Sequence, residues 1–146
     1  MKCVILAGGS GSRFWPKSRN HRPKQLLKIV NNKSMLQITI DRIKKVKLVE
    51  EIFIITRSDL YDLIVDETTG VPEKNIIIEP SGKNTAPAIG MMACLFAMEN
   101  QNQIMGVFPA DHLIMDQQEF EIAVLNAYKT AKEGENLVTI GIKPHY

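Results

Sequence analysis

Short apolar runs recur along this chain, and each one is followed by a segment with helical periodicity. The runs show no alternation of apolar and polar residues, which is typical of strands buried on both faces of a parallel sheet. Because these strands alternate with helices, we predict an α/β fold: a doubly wound, mostly parallel sheet with helices on both faces. The expected strands are residues 2–7, 51–56, 75–79, 104–109 and 137–142, with a short extended piece at 26–30.

Capping residues mark where helices should begin. Ser34 is followed by Gln37 at the spacing of a capping box, and Asp116 is followed by Glu119 in the same way. Ser58 is the expected cap of a further helix. The four expected helices cover residues 35–46, 59–69, 85–100 and 117–133.

Length and composition exclude several classes of protein. The 146 residues suit one domain, and 45% hydrophobic with 23% charged residues is ordinary for a globular protein. A net charge of +2 is too small to indicate a nucleic-acid partner. The apolar run after Lys2 is too short for a signal peptide or a membrane span. Cys3 and Cys94 lack the spacing of a metal site. We expect a cytoplasmic protein that binds neither nucleic acid nor a membrane.

A glycine-rich turn ends the first apolar run. Gly8, Gly9 and Gly11 lie within four residues, so the backbone can bend sharply and bring its N–H groups close to another molecule. Six basic residues follow with no acidic residue between them: Arg13, Lys17, Arg19, Arg22, Lys24 and Lys28. Backbone donors backed by concentrated positive charge indicate a polyphosphate site.

Two widespread phosphate-binding loops do not fit this turn. A dinucleotide fingerprint that starts at Gly9 would need its third glycine where Phe14 stands. A Walker loop needs glycine before its Lys-Ser pair, and here Pro16 precedes Lys17. The turn therefore belongs to a different kind of site.

Ligands of doubly wound sheets lie beyond the carboxyl ends of the strands. This rule selects the loops at residues 8–24, 80–84 and 110–114, which follow the first, third and fourth expected strands. The glycine turn and most other chemically suggestive residues lie in these three loops, which we therefore expect to meet at one site.

Residues 6–13 read Leu-Ala-Gly-Gly-Ser-Gly-Ser-Arg, and Pro-Lys follows at positions 23 and 24. This pattern resembles the signature of the sugar-phosphate nucleotidyltransferase family. The form of residues 13–16, Arg-Phe-Trp-Pro, is similar to the branch that transfers guanylyl groups to mannose 1-phosphate. Residues 79–88 match the E-P-x-x-[RK]-N-T-A-P-A pattern of the same branch. The resemblance extends over essentially the whole chain and implies a Rossmann-like fold.

The resemblance also implies roles for individual residues. Arg13 would hold the β- and γ-phosphates of GTP, and Lys24 would lie near the α-phosphate; both are implied catalytic residues. Asp111 directly follows a buried strand and would bind Mg²⁺. The complete implied nucleotide-binding set is Leu6, Ala7, Gly8, Gly9, Ser10, Gly11, Ser12, Arg13, Lys24, Glu79, Pro80, Ser81, Gly82, Asn84, Thr85, Ala86 and Asp111.

Recognition of the base is assigned to the loop that begins at Glu79. A carboxylate accepts hydrogen bonds from N1–H and N2–H₂ of guanine, but the backbone groups of residues 80–82 offer the same contacts. Two structural interpretations stay open: a salt bridge for Glu79 at the end of its strand, and helix capping by Asn84 or Thr85.

The implied reaction joins GTP and mannose 1-phosphate to give GDP-mannose and pyrophosphate. Members of the family continue with a sugar-binding half that these 146 residues do not contain, so we expect a truncated, nucleotide-binding front with weak GTP binding and slow or no turnover. The resemblance is also compatible with a homo-oligomer. The alternatives are a nucleotidyltransferase for another nucleotide or hexose 1-phosphate, and a nucleotide-binding module without catalysis.

Overall fold

A four-stranded parallel sheet organises the residues that the structure, a computed structural model, describes: 1–9, 23–30, 32–134 and 136–142. Two very short strands form a separate antiparallel pair, which comes between the first and second strands of the parallel sheet along the chain. The strands are β1 (Lys2–Leu6), β2 (Lys28–Val30), β3 (Lys33–Ser34), β4 (Glu51–Thr56), β5 (Ile76–Ile78) and β6 (Met105–Pro109).

Among the described residues, four α-helices connect the strands or follow them. They are α1 (Met35–Lys44), α2 (Tyr61–Glu67), α3 (Thr85–Glu99) and α4 (Gln117–Lys132). Single 3-10 turns cover Lys24–Leu26, Ser58–Leu60 and Glu73–Asn75. Across the described residues, no helix combines the length and the apolar character needed to cross a membrane.

The strand order is β5-β4-β1-β6, and every neighbouring pair in this sheet is parallel. The chain runs outward from β1 to β4 and β5, and then returns to place β6 on the other side of β1. This reversal makes the carboxyl end of β1 the switch point of the topology, where a crevice opens between connections that leave in opposite directions.

Side chains of β1 point alternately into two apolar clusters. Cys3 and Ile5 belong to the larger cluster, which also contains buried residues of α1, α2 and α4. Val4 belongs to the smaller cluster, where it joins Met92 and Phe96 of α3. Helices therefore cover both faces of a parallel sheet, which confirms the predicted doubly wound α/β fold.

Two of the three predicted helix caps are present. The Ser34 hydroxyl accepts a hydrogen bond from the Gln37 N–H at 3.1 Å, and Asp116 caps α4 in the same way. The prediction for Ser58 is wrong: the chain makes a 3-10 turn there, and α2 begins after Leu60, which offers no capping side chain.

The fifth strand expected at residues 137–142 is also absent from the structure. Residues 136–142 have no regular secondary structure, and the apolar side chains of Leu137 and Ile142 are exposed. Apolar character supplies the propensity for a strand, but a strand also needs a neighbour that completes its hydrogen-bond ladder. None of the strands in the described ranges pairs with this segment.

The two cysteines should differ in reactivity. Burial raises the pKa of the Cys3 thiol to about 12, so at pH 8 this group stays protonated as well as inaccessible. Cys94 is exposed on α3. We expect a thiol reagent at pH 8 to label Cys94 alone in the folded chain and both cysteines in guanidinium, as counted by mass spectrometry. Equal labelling of both thiols without denaturant would contradict the buried position of β1.

Candidate active site

A pocket of about 480 Å³ lies at the carboxyl ends of the four parallel strands. Its size is ordinary for a small-molecule site, and its position is the crevice that the strand order creates. The three loops selected from the sequence all contribute to its wall. The lining residues are Leu6, Gly8, Gly9, Lys24, Gln25, Ile55, Arg57, Glu79, Gly82, Asn84, Thr85, Ala88, Pro109, Ala110 and Asp111.

Gly8 lies where two parts of the pocket wall meet. A Cβ atom at this position would be 2.5 Å from Oε1 of Glu79 and 3.6 Å from Cγ of Arg57. A side chain here would therefore force the end of the Glu79 side chain to shift away from the turn. For the neighbouring Gly9, no described residue lies within 4 Å of the position that a Cβ atom would take.

Gln25 holds the backbone of this turn from behind. Its side-chain Nε2 donates to the carbonyl oxygen of Ala7 at 2.7 Å and to that of Gly9 at 3.1 Å. Only 2% of Gln25 is exposed; its bond to Ala7 is buried, and its bond to Gly9 is partly buried. The Thr56 hydroxyl donates to the same Ala7 oxygen at 3.4 Å. Gln25 thus fixes the start of the glycine turn from a position that sequence analysis did not select.

Lys24 and Asp111 form an ion pair between Nζ and Oδ2 across the pocket. Lys24 precedes β2 and Asp111 follows β6, so the fold joins residues that lie far apart in the sequence. The two side chains are 23% and 20% exposed, which leaves each able to meet a ligand. Ion pairs that are open to solvent contribute little to the stability of a fold. The importance of this pair is that it places a positive and a negative charge in the same cavity.

The donor set at Asp111 fits Mg²⁺ that arrives with a phosphate ligand. Within the described residues, no group of three or more His, Cys, Asp or Glu side chains could hold a metal by itself. Mg²⁺ is commonly held by one or two carboxylates together with substrate phosphates and water. A single carboxylate at the rim of an open pocket suits that arrangement and does not suit a metal enclosed by protein.

Arg57 lines the pocket at the carboxyl end of β4 and was missed from the sequence. Its guanidinium donates to both carboxylate oxygens of Asp59, at 2.9 and 2.6 Å. This hydrogen bonding raises the pKa of Arg57, and the charge of Glu79 adds a smaller contribution in the same direction. The rule that selected the other loops applied equally to the loop after β4, so position alone would have identified this residue.

Asn84 has a strained backbone at the edge of the pocket. Its φ of +67° and ψ of −162° fall in a region that residues other than glycine rarely adopt. It occupies the N-cap position of α3, yet its side chain makes no capping hydrogen bond. The capping interpretation is therefore wrong for Asn84. Backbone strain of this kind clusters at ligand-binding positions.

The structure brings nine of the sequence-selected residues together in the pocket wall: Leu6, Gly8, Gly9, Lys24, Glu79, Gly82, Asn84, Thr85 and Asp111. Four others do not line it: Ala7, Pro80, Ser81 and Ala86. The remaining four, Ser10, Gly11, Ser12 and Arg13, lie outside the described residues.

Fold and pocket together define a doubly wound α/β protein whose ligand site lies at the topological switch point beside the first strand. Residues 2–146 match the model of the nucleotidyl transferase family, and the chain belongs to that family.

The chain is similar in sequence to several bacterial proteins. It is 43% identical to a mannose-1-phosphate guanylyltransferase of Escherichia coli, over 97% of this chain and 31% of the relative. It is 42% identical to mannose-1-phosphate guanylyltransferase RfbM of Salmonella typhimurium, over 97% of this chain and 30% of the relative. The chain therefore spans about a third of the length of these relatives.

Solved structures support the same fold. The chain superposes with a TM-score of 0.76 and 28% identity on a Thermus thermophilus protein described as mannose-1-phosphate geranyltransferase, over 91% of this chain and 38% of that one. A Helicobacter pylori protein described as mannose-6-phosphate isomerase gives a TM-score of 0.68 and 29% identity, over 90% of this chain and 46% of that one. The doubly wound fold is therefore shared with known structures.

Replacing Gln25 by glutamate should destabilise the fold at neutral pH. The substitution removes the donor that serves two carbonyl oxygens and turns a carboxylate toward them, so we expect a loss of about 1–3 kcal/mol in the free energy of unfolding by urea. Gln118→Glu on the exposed surface of α4 makes the same chemical change and should stay within about 0.5 kcal/mol of the unsubstituted chain.

The loss in the free energy of unfolding caused by Gln25→Glu should also become smaller at acidic pH. Burial raises the pKa of a carboxyl group, and the protonated form regains one donor. The difference from the unsubstituted chain should therefore be smaller at pH 5 than at pH 8. A deficit that is the same at both pH values, or absent, would mean that the amide does not support the turn.

Proposed function

We propose that this chain is the GTP-binding portion of a mannose-1-phosphate guanylyltransferase, which transfers GMP from GTP to mannose 1-phosphate and releases pyrophosphate. The observation that carries the proposal is the meeting of the glycine turn with the Lys24–Asp111 ion pair in one pocket. The identities of the nucleotide and of the sugar phosphate are inferred from the names of the relatives.

The phosphate end of GTP is assigned to the side of the pocket formed by Gly9 and Lys24, which both line its wall. No described residue lies within 4 Å of the position that a Cβ atom of Gly9 would take, whereas Gly8 lies against the Glu79 carboxylate. Lys24 offsets negative charge on the α-phosphate, and its partner Asp111 is the carboxylate available to a divalent cation. A triphosphate and its bound cation carry both signs of charge. When they bind, Lys24 exchanges the Asp111 carboxylate for phosphate, and Asp111 exchanges the Lys24 ammonium group for the cation.

The guanine end is assigned to the side formed by Glu79. This carboxylate lines the pocket and has the acceptor oxygens that the N1–H and N2–H₂ donors of guanine require. Adenine lacks that pair of adjacent donors, so a carboxylate at this position discriminates between the two purines. The strained backbone of Asn84 and the start of α3 border the same side.

The reaction forms one bond and breaks one. A phosphate oxygen of mannose 1-phosphate attacks the α-phosphorus of GTP, and the bond from that phosphorus to the bridging oxygen breaks as pyrophosphate leaves. The attacking oxygen is already anionic, so the chain needs to supply neither a nucleophile nor a strong base. Lys24 and Arg13 orient the phosphates and offset the charge that develops on the leaving group. Bound Mg²⁺ would supply further charge neutralisation at Asp111.

A nucleotide panel tests the base assignment. Ligand at one hundred times its dissociation constant stabilises a protein by about 2.7 kcal/mol. We expect GTP with Mg²⁺ to raise the unfolding temperature most, ITP less because it lacks the 2-amino group, and ATP least. Glu79→Gln should narrow the difference between GTP and ITP, since an amide presents one acceptor oxygen in place of two.

The metal assignment is tested in the same titrations. Asp111→Asn should remove most of the Mg²⁺ dependence of GTP binding, whereas Asp62→Asn, the same change on the exposed side of α2, should leave it intact. Equal stabilisation by ATP and GTP would reject the guanylyl assignment. A full Mg²⁺ effect in Asp111→Asn would reject the metal role.

Arg13 is tested through turnover. Arg13→Ala should lower transition-state stabilisation by roughly 2–4 kcal/mol, by analogy with the loss of one oxyanion donor. The measurement is pyrophosphate release from GTP and mannose 1-phosphate at high protein concentration, with GTP affinity as a second readout. Arg19→Ala, which removes a basic residue of the same segment, is the control. Unchanged release and affinity in Arg13→Ala would remove this residue from the mechanism.

A further inference from the structure

Two side chains of α1 donate hydrogen bonds to the backbone of the loop that carries Asp111. The Thr39 hydroxyl donates to the carbonyl oxygen of Ala110 at 3.3 Å, and Nη1 of Arg42 donates to that of His112 at 3.1 Å. The carbonyl groups on both sides of Asp111 are therefore fixed by one helix. The Ala110 N–H donates in turn to the Leu6 carbonyl at the end of β1, at 3.2 Å.

The two side chains of α1 are also bonded to each other. Nη2 of Arg42 donates to Oγ1 of Thr39 at 3.3 Å, so the hydroxyl accepts one hydrogen bond and donates another. The guanidinium lies 5.2 Å from the ring centroid of Phe120 in α4, and Nε2 of Gln117 donates to the Arg42 carbonyl at 3.2 Å. We call Thr39 and Arg42 the α1 clamp.

Arg42 is an unusual residue for a purely structural role. Only 5% of it is exposed, and burial lowers the pKa of its guanidinium. Its Nε has no hydrogen-bond partner in the part of the chain that the structure describes. No ion pair with an acidic side chain is found for it among those residues. Burying a charge without a counter-ion is costly, and an apolar side chain would pack beneath α4 without that cost.

The retained charge is directed at the backbone of the Asp111 loop. A charged donor makes a stronger hydrogen bond to a carbonyl than a neutral donor does. The clamp thus restricts the backbone on both sides of Asp111, and the direction of a carboxylate follows from the position of its backbone. Outer groups that orient a ligating side chain control metal affinity without touching the metal.

We propose that Thr39 and Arg42 are positioning residues that aim the Asp111 carboxylate into the pocket, where it pairs with Lys24 and receives a divalent cation. The cation part of this inference rests on the proposed function; the positioning part rests on the hydrogen bonds alone. Neither residue lines the pocket.

Conservative substitutions separate positioning from packing. Thr39→Val keeps the shape and removes the hydroxyl, whereas Thr39→Ser keeps the hydroxyl; Arg42→Met and Arg42→Lys form the second pair. Ile43→Val trims another buried residue of α1 without touching a polar group, and serves as the packing control.

The first measurement is Mn²⁺ binding in the presence of GTP, followed by electron paramagnetic resonance of the free ion. Loss of an outer-shell partner lowers metal affinity about 10- to 100-fold in known sites, and we expect about tenfold for Thr39→Val and for Arg42→Met. Thr39→Ser and Ile43→Val should bind Mn²⁺ as the unsubstituted chain does, and Arg42→Lys should recover part of the affinity. Wild-type affinity in both Thr39→Val and Arg42→Met, or an equal loss in Ile43→Val, would overturn the proposal.

The second measurement needs no ligand. The amide resonances of Asp111 and His112 should shift in Thr39→Val and Arg42→Met, and should keep their positions in Ile43→Val. If Asp111→Asn binds Mn²⁺ as well as the unsubstituted chain, the metal assignment of the proposed function fails, and with it the cation part of the clamp. Unmoved resonances of Asp111 and His112 in Thr39→Val would overturn the positioning part, whatever the metal result.

Discussion

Hydrogen bonds just beyond the ends of the parallel strands hold the walls of the pocket in a common register. Each joins the first residue after a strand to the neighbouring strand, so the strand ends and the loops that follow them are fixed together. The three bonds run from Ala7 N to Ile55 O (2.9 Å), from Glu79 N to Thr56 O (2.8 Å) and from Ala110 N to Leu6 O (3.2 Å). A shift of one residue in any of these strands would turn its side chains to the opposite face and separate the groups that now meet.

Charge is distributed in the pocket according to the same geometry. The basic Lys24 enters from the segment before β2, and the acidic Asp111 and Glu79 enter at the ends of two parallel strands. Lys24 and Asp111 are paired, whereas Glu79 lies beside Gly8 and its negative charge helps to raise the pKa of Arg57. A ligand that carries several negative charges and a cation at one end, and hydrogen-bond donors at the other, matches this arrangement.

The sequence predicted the features that depend on local pattern. Continuous apolar runs identified the four central strands, and the caps at Ser34 and Asp116 depend only on residues three positions apart. The rule for carboxyl strand ends led directly to the loops that form the pocket. These inferences succeeded because each rests on neighbours in the chain or on a general property of parallel sheets.

The features that sequence analysis missed depend on contacts between distant segments. Gln25 is an ordinary polar residue until the fold brings its amide under the turn after β1, and Arg42 looks like a surface residue of an amphipathic helix until α4 covers it. The prediction of a strand at residues 137–142 was wrong for the opposite reason: the local pattern is that of a strand, but no described strand pairs with it. Periodicity cannot report which partner a side chain or a strand edge meets.

The bonds from Gln25 have a consequence for how this molecule can vary. The oxygens that it contacts belong to the peptide backbone, and every amino acid carries the same oxygen. A substitution at position 7 or 9 that fits the surrounding space would therefore leave both hydrogen-bond acceptors of the Gln25 amide in place. Position 25 has no such freedom, since few other residues deliver two N–H groups at that reach. This contact therefore constrains the identity of residue 25 and places no demand on the side chains of residues 7 and 9.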